Sequence, residues 1–368
     1  MTDQADQHFM SLAIEQALYG LNTTAPNPRV GCVIVDPEGV LLASGYHHKT
    51  GEAHAEVDAL NKLDGLAQGA KVYVTLEPCS HIGRTGACAD VLIKAGISEL
   101  IYGMQDPNPL VSGQGLQRLR EAGIAVRGPV LESEVTALNP GFIKRMNSGQ
   151  PYVRLKLAMS FDGRTAMKSG ESQWITGIEA RQDVQAMRAR SCAIVTGIGT
   201  VLHDDPALTV RSLEGHTEGL RQPLRVIVDQ HLRTPDTAKA LIQRGRAVIA
   251  TTSFKRFPIG RAEIWGMPGR RGAVDIAALL KRLAEEQCNE VMVEAGPKLA
   301  GSFITSGLVD ELIVYVAPKL MGSTARPLFE LPIEKMADSV DLNITDVTPI
   351  GGDWRFTCEL TDKSSDHK

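Results

Sequence analysis

At 368 residues, with 43% hydrophobic content and a formal net charge of −4, the chain has room for two domains, each with its own core. That charge balance leaves no electrostatic footprint for nucleic acid, and every apolar run falls short of a membrane span. Six irregularly spaced cysteines do not suggest a disulfide framework, and the polar first seven residues carry no signal-peptide pattern, so a soluble protein of the reducing cytoplasm is expected.

Apolar residues at helical spacing over 8–18 predict an amphipathic helix. Pro26-Asn27-Pro28-Arg29 breaks that pattern before a buried strand at 30–36, which turns at Asp36-Pro37-Glu38-Gly39 and pairs back as a hairpin over 40–44. A helix is expected over 53–62, a strand over 71–76, a helix over 88–95 ended by Gly96, and a strand over 99–103. A helix at 115–122 and a strand at 124–126 follow, and the alternation argues a three-layer α/β/α domain. Residues 130–146 read as a connecting helix bent at Pro140-Gly141. The turn-rich stretch 147–151 after it places the domain boundary between 1–149 and 150–368.

In the second part, strands are expected at 152–158, 193–197, 224–229, 247–251, 290–294 and 312–317, with helices at 179–190, 276–286 and 298–306. This is a second α/β sheet with no repeat of the first. No Gly-x-Gly-x-x-Gly sits in a Rossmann context. Gly197-Ile198-Gly199-Thr200 follows one predicted strand, and Glu294-Ala295-Gly296-Pro297 leads from another into a helix. Backbone N–H groups at such a helix start can cradle a phosphate; a tight strand-to-helix turn is the alternative.

The chemistry concentrates between His54 and Cys88. His54-Ala55-Glu56, then Glu77-Pro78-Cys79, then Cys88 supply imidazole, carboxylate and thiolate groups in the order used by zinc-dependent base deaminases. Three protein ligands leave a fourth position for a water whose pKa zinc lowers toward neutrality, and a carboxylate that is not a ligand can shuttle protons. His54 and Cys79 are two of the ligands, Glu56 is the catalytic carboxylate, and the third ligand is His81 or Cys88. Cys88 is favoured, because residues 80–86 read as a loop able to carry substrate contacts.

Together, Pro26-Asn27-Pro28, His54-Ala55-Glu56, Pro78-Cys79-Ser80-His81, Gly83-Arg84-Thr85 and Asp106-Pro107-Asn108-Pro109 resemble the deaminase half of the bifunctional deaminase/reductase family of riboflavin biosynthesis. The run 156–164, Trp174-Ile175-Thr176, Asp204-Asp205-Pro206, Leu208-Thr209, Arg211 and Glu294-Ala295-Gly296-Pro297 resemble its reductase half, so the resemblance covers essentially the whole chain. It implies a cytidine-deaminase-like domain followed by a dihydrofolate-reductase-like α/β domain, Zn2+ and NADPH as cofactors, and Cys88 as the third zinc ligand. It further implies a pyrimidine ribosyl phosphate as substrate and a homo-oligomer as the assembly.

Site residues carried over by the same resemblance are of two kinds. Asn27 and His47 would read the pyrimidine edge, with Arg84, Asp106 and Asn108 on the ribose phosphate side. Ala158, Trp174, Thr200, Asp204 and the loop Gly296, Pro297, Lys298, Leu299, Ala300, Gly301 and Ser302 would contact the cofactor. Lys156, Ser172, Arg188, Leu208, Arg211 and Glu294 would contact the second substrate. The chemistry suits these roles: Asn offers a donor and an acceptor, paired Arg side chains can clamp a phosphate, and a carboxylate can meet ribose hydroxyls. Thr251, Thr252, Lys255 and Arg256 are candidates for the cofactor 2′-phosphate. His203 reads as a polar loop residue, and Cys32, Cys192, Cys288 and Cys358 as buried thiols.

Overall fold

The computed structural model describes residues 2–80, 86–109, 111–211, 221–253, 258–270 and 272–361. The chain divides into two compact units, 1–150 and 151–368.

In the first unit the elements run α1 (Thr2–Leu18), β1 (Gly31–Val35), β2 (Leu41–Tyr46), α2 (Ala55–Asn61), β3 (Lys71–Leu76) and α3 (Cys88–Ala95). They continue as β4 (Glu99–Met104), α4 (Gln114–Glu121), β5 (Ala125–Arg127), α5 (Glu132–Leu138) and α6 (Pro140–Ser148). The sheet order is β2-β1-β3-β4-β5, with β1 antiparallel to both neighbours and β3, β4 and β5 parallel. Period-two alternation sends Cys32 and Ile34 to one face, where α2, α3 and α4 pack through Ala59, Leu92 and Leu119. Val33 and Val35 point to the other face, against Met10 and Ala13 of α1 and Val135 of α5. These are the three layers expected. The single bent helix expected over 130–146 is instead two helices, α5 and α6. They part at Asn139, whose φ of −130° leaves the helical region, and α6 runs through Ser148 into the stretch read as linker.

The second unit contains β6 (Tyr152–Ser160), β7 (Arg164–Ala166), α7 (Ile178–Arg190), β8 (Ala193–Gly197), α8 (Ile198–Asp204), β9 (Leu224–Val228), α9 (Lys239–Ile242), β10 (Ala247–Thr251), β11 (Glu263–Gly266), β12 (Gly269–Arg270) and β13 (Ala273–Val274). It closes with α10 (Ile276–Glu285), β14 (Glu290–Val293), α11 (Pro297–Ser306), β15 (Glu311–Ala317), β16 (Arg326–Pro327), β17 (Leu342–Ile350) and β18 (Asp353–Leu360). Its main sheet has the order β11-β10-β9-β8-β14-β6-β15-β18-β17. The strands from β11 to β15 are parallel, and the β17–β18 hairpin is added antiparallel at one edge.

Several short elements were not expected, β7, α9 and the edge strand β11 among them, and two further departures have a clear physical reason. The hairpin β17–β18 carries no strand signal because β17 is exposed along nearly all its length, so burial imposes no alternation on it. His203 lies on a helix, α8, whose only buried residue is Val201; one buried position cannot make a periodic pattern.

The helix that carries Glu56 is set by a close approach. Backbone atoms of α2 lie where a Gly45 Cβ would sit, 2.4 Å from Ala59 N and 2.6 Å from Ala55 O. Helix and strand touch there backbone to backbone, which only glycine permits. Gly45→Ala is therefore expected to cost ~1–3 kcal/mol, read as an earlier midpoint in chemical denaturation with an unchanged slope.

Candidate functional site

The first unit gathers its reactive groups at the carboxyl end of β3. His54 is the residue before α2, in extended backbone, and Glu56 is the second residue of that helix. Cys79 follows β3 after Glu77-Pro78, and Cys88 opens α3. His54 Nδ1 lies 3.2 Å from Cys88 Sγ and 3.6 Å from Cys79 Sγ, and the three ligand atoms fall within 4.8 Å of one another. A tetrahedral zinc ion with ordinary bond lengths needs such atoms ~3.5 Å apart, so the donor set and its spacing fit zinc. Hydrogen bonds from Cys88 and His54 hold the Cys79 thiol well below the usual thiol range, so it favours the thiolate form that binds metal. His81, the other candidate ligand, and Arg84 lie outside the described residues.

Glu56 is 3% exposed, and burial raises its carboxyl to about 7 against the opposing pull of His54. A carboxyl poised there can accept and return a proton near neutrality. His47 faces the same site, its ring edge-on to His54 with centroids 5.3 Å apart. Its Nδ1 is 2.9 Å from the Ala53 carbonyl, which can only accept, so that nitrogen carries the proton and Nε2 accepts from Asn27 Nδ2 at 3.1 Å. Burial lowers the pKa of His47 and keeps this neutral pair. Asn27 is held at a distance by Asn139, whose amide both donates to and accepts from the Arg29 backbone, each at 2.8 Å.

Sequence reasoning quoted Glu77 only as part of a motif. Its carboxylate, 3% exposed, accepts from the N–H groups of Asp106 (3.2 Å), Gly113 (2.9 Å), Gly115 (2.9 Å) and Leu116 (3.4 Å). It therefore fixes the segment bearing Asp106 and Asn108, whose own turn is closed by Asn108 N–H on Asp106 Oδ1 at 2.8 Å. A Gly115 Cβ would meet Pro78 O at 1.9 Å, so the start of α4 is pressed against the residue before Cys79. The available signal was an acidic residue ending an apolar strand; Asn139 was signalled by the Asn-Pro start of a helix.

In the second unit a cleft of about 1140 Å³ opens at the carboxyl ends of β6, β8, β9 and β14. Parallel α/β sheets bind ligands at that end, and the volume exceeds the ~300–1,000 Å³ usual for one small molecule. Ala158, Trp174, Thr200, Asp204, Gly296, Pro297, Lys298 and Leu299 line it, as do Lys156, Ser172, Arg188, Leu208, Arg211 and Glu294. Thr200 Oγ1 accepts the Gly296 N–H at 3.2 Å, tying the first turn of α8 to the residue that precedes α11. Ser172 Oγ donates to Asp204 at 2.7 Å.

Three of the expected cofactor residues are not brought to the cleft. Ala300 is buried within α11, Gly301 packs against the Glu330 backbone, and Ser302 is exposed with its hydroxyl on Lys298 O. Residues 297–299 form the first turn of α11 and reach the cleft, whereas 300–302 lie one turn further along the helix. Of the 2′-phosphate candidates, Thr251 donates to Gln230 O at 3.0 Å, and Lys255 and Arg256 lie outside the described residues. The four remaining cysteines are buried thiols.

Arg188 and Glu294 pair with each other. Arg188 donates to the carboxylate through Nε (2.6 Å) and Nη2 (2.9 Å), and through Nη1 to Thr209 O (3.1 Å). Burial pushes the Glu294 carboxyl up, but Arg188, with Lys156 and Arg211, holds it below the usual carboxylate range. Lys156, its ammonium pKa lowered by burial, stands 5.6 Å from the Tyr315 ring centroid. The cleft thus presents an oriented Glu294 carboxylate paired with Arg188, and Arg211 lines the same cleft.

Glu77→Ala would strand buried N–H donors around Cys79 and is expected to destabilise the first unit by ~2 kcal/mol or more. Metal analysis of the purified variant should show zinc falling below one equivalent, while the parent retains it.

Residues 3–104 match the cytidine and deoxycytidylate deaminase zinc-binding region, and residues 151–356 match the RibD C-terminal domain. The riboflavin biosynthesis protein RibD of Escherichia coli (strain K12) is 48% identical over 359 residues, covering 95% of this chain and 97% of that protein. The structure of Acinetobacter baumannii RibD (form 1) superposes with a TM-score of 0.91 at 44% identity, over 98% of this chain and 99% of that one. A Thermotoga maritima structure described as a diaminohydroxyphosphoribosylaminopyrimidine deaminase/5-amino-6-(5-phosphoribosylamino)uracil reductase aligns at 31% identity, with a TM-score of 0.89 over 98% of this chain and 100% of that one. Alike in sequence and in structure over nearly its full length, the chain belongs to the RibD family of bifunctional riboflavin-biosynthesis enzymes, with a zinc-binding deaminase region ahead of a reductase domain.

Proposed function

We propose that residues 1–149 deaminate 2,5-diamino-6-ribosylamino-4(3H)-pyrimidinone 5′-phosphate and that residues 150–368 then reduce the ribosyl side chain of the product to ribityl. The observation that carries the first step is a buried carboxyl, Glu56, beside three ligand atoms spaced for zinc. Zinc, when bound by His54, Cys79 and Cys88, supplies the Lewis acidity that makes water a nucleophile near neutral pH. Glu56 takes a proton from that water and returns one to the departing amine. Asn27, its amide oriented by the neutral His47, presents its carbonyl oxygen and second N–H to the pyrimidine edge, and Asp106 and Asn108, held by Glu77, meet the ribose phosphate side together with Arg84.

In the cleft of the second unit, NADPH supplies the hydride. Trp174, Thr200, Asp204 and the turn 296–299 hold the cofactor, and Ala158 lies against it. Lys156, Ser172, Leu208 and Arg211 orient the ribosyl substrate, and the Arg188-fixed Glu294 carboxylate meets its hydroxyls. The ammonium of Lys156 offers positive charge, or a proton, beside the carbon being reduced.

The chain acts as a homo-oligomer in the cytoplasm. Among the described residues no helix is long and apolar enough to cross a membrane, and thiolate ligands call for a reducing compartment. Support for self-association is the edge strand β17, which leaves Leu342, Ile344 and Val347 exposed beside Trp354 of β18.

Ammonia release and NADPH absorbance, followed together, test the reading. Glu56→Gln is expected to keep its zinc and slow ammonia release by about 10²–10⁴-fold, while NADPH oxidation persists when the deaminated compound is supplied. Undiminished ammonia release would remove Glu56 from the mechanism. For the assembly, Ile344→Glu should shift the size-exclusion and light-scattering mass toward the monomer without loss of either activity.

A further inference from the structure

Trp174 is 61% exposed and lines the cleft, an unusual place for an indole unless something covers it. One face of the ring is already occupied: the Arg181 guanidinium carbon sits 4.4 Å from the ring centroid, well within cation–π range. The same guanidinium donates through Nη1 to the Thr176 carbonyl at 2.7 Å, so it is fixed at two points. The backbone that follows the Trp174 Cα is pinned independently. Lys319 Nζ donates to the Trp174 carbonyl at 3.1 Å, and the Gly177 N–H donates to the buried Asp353 carboxylate at 2.6 Å. With the backbone held at three places, the freedom left to Trp174 is rotation of its side chain, and Arg181 is the group that limits it.

We propose that Arg181 is a positioning residue of the reductase cleft, backing the Trp174 indole so that its free face forms a stacking wall for an aromatic ring of the dinucleotide reductant. This rests on the assignment of the cleft to NADPH. Arg181 need not touch the cofactor. It acts by keeping the indole in one orientation before the cofactor arrives, so that ordering the ring is not charged against binding. A guanidinium is suited to this, since it stacks flat on indole while its edge donates hydrogen bonds.

The test uses the full-length protein, the deaminated substrate at saturation and NADPH varied. Arg181→Ala is expected to raise the KM for NADPH about 3–10-fold, with kcat little changed and, in a separate assay with the amino-bearing substrate, ammonia release at the parent rate. Arg181→Lys, which keeps the cation but not the planar fork, should recover part of the loss. Energy transfer from tryptophan to NADPH at saturating cofactor should fall in Arg181→Ala, a signal that a purely structural role would leave in place. In the Trp174→Ala background, removing Arg181 should add nothing further to KM. An unchanged KM in Arg181→Ala, or a full additional effect when Trp174 is absent, overturns the proposal. So does an equal fall of kcat in both activities, which would mark general destabilisation. If Trp174→Ala itself leaves the NADPH KM unchanged, the stacking wall falls while the cleft assignment stands. If the parent neither binds nor oxidises NADPH, the cleft assignment falls first and the proposal with it.

Discussion

A single buried carboxylate organises the deaminase site. Glu77 follows β3 directly and is buried, where polar oxygens are costly unless hydrogen-bonded. They are met by four backbone N–H groups of the segment 106–116, drawn from the loop after β4 and the start of α4. Because Pro78 and Cys79 follow at once, the same interaction that closes this loop also fixes the metal ligand. The loop's Asp106 and Asn108 are then set relative to Cys79 by backbone geometry. Loss of the carboxylate would disturb ligand and substrate loop together, though it touches neither metal nor substrate.

Charge explains why the rest of the site looks as it does. With both cysteines as thiolates and Glu56 ionised, three negative charges would share a buried volume, which burial alone makes unfavourable. A divalent cation would offset the thiolates; Glu56 stands apart from the ligand set, its carboxyl raised by burial against the pull of His54, which suits a proton carrier. His47 follows the complementary rule. Burial holds it neutral, its proton is fixed on Nδ1 by the Ala53 carbonyl, and Nε2 accepts from Asn27 and so orients its amide. The chemistry is divided by environment among residues that are ordinary in type.

How much of this was legible in the sequence depended on whether a residue's partner carries an identity. His54, Glu56, Cys79 and Cys88 were readable because ligand chemistry restricts each to a few residue types at a few spacings. The sheets were readable because both faces of their inner strands are buried. Glu77 was not, since its partners are N–H groups that any residue but proline supplies. Asn139 is signalled as a helix start by the proline after it, but its partner was hidden for the same reason: it binds the backbone of Arg29, 110 residues earlier. The β17–β18 hairpin escaped because an exposed edge strand needs no alternation, and α8 because one buried valine makes no period.

The reductase cleft shows what a list of residues leaves out. Arg188 and Glu294 were carried over by the family resemblance, and both line the cleft. What the sequence could not show was that parallel pairing of β8 and β14 brings the end of β14 beside the helix that precedes β8. That register makes the two side chains partners across 106 residues. The consequence is chemical. A guanidinium whose nitrogens already serve Glu294 and Thr209 offers little to a phosphate, whereas the carboxylate it orients is ionised and aimed. Of the other cationic side chains, Lys156 stands deep beside Tyr315 and Arg211 toward the solvent side, with Arg233, Lys298 and Arg326 also lining the cleft. A phosphate held by Arg211 would leave Lys156 and Glu294 for the sugar, so polarity along the cleft follows from which arginine the fold has already committed.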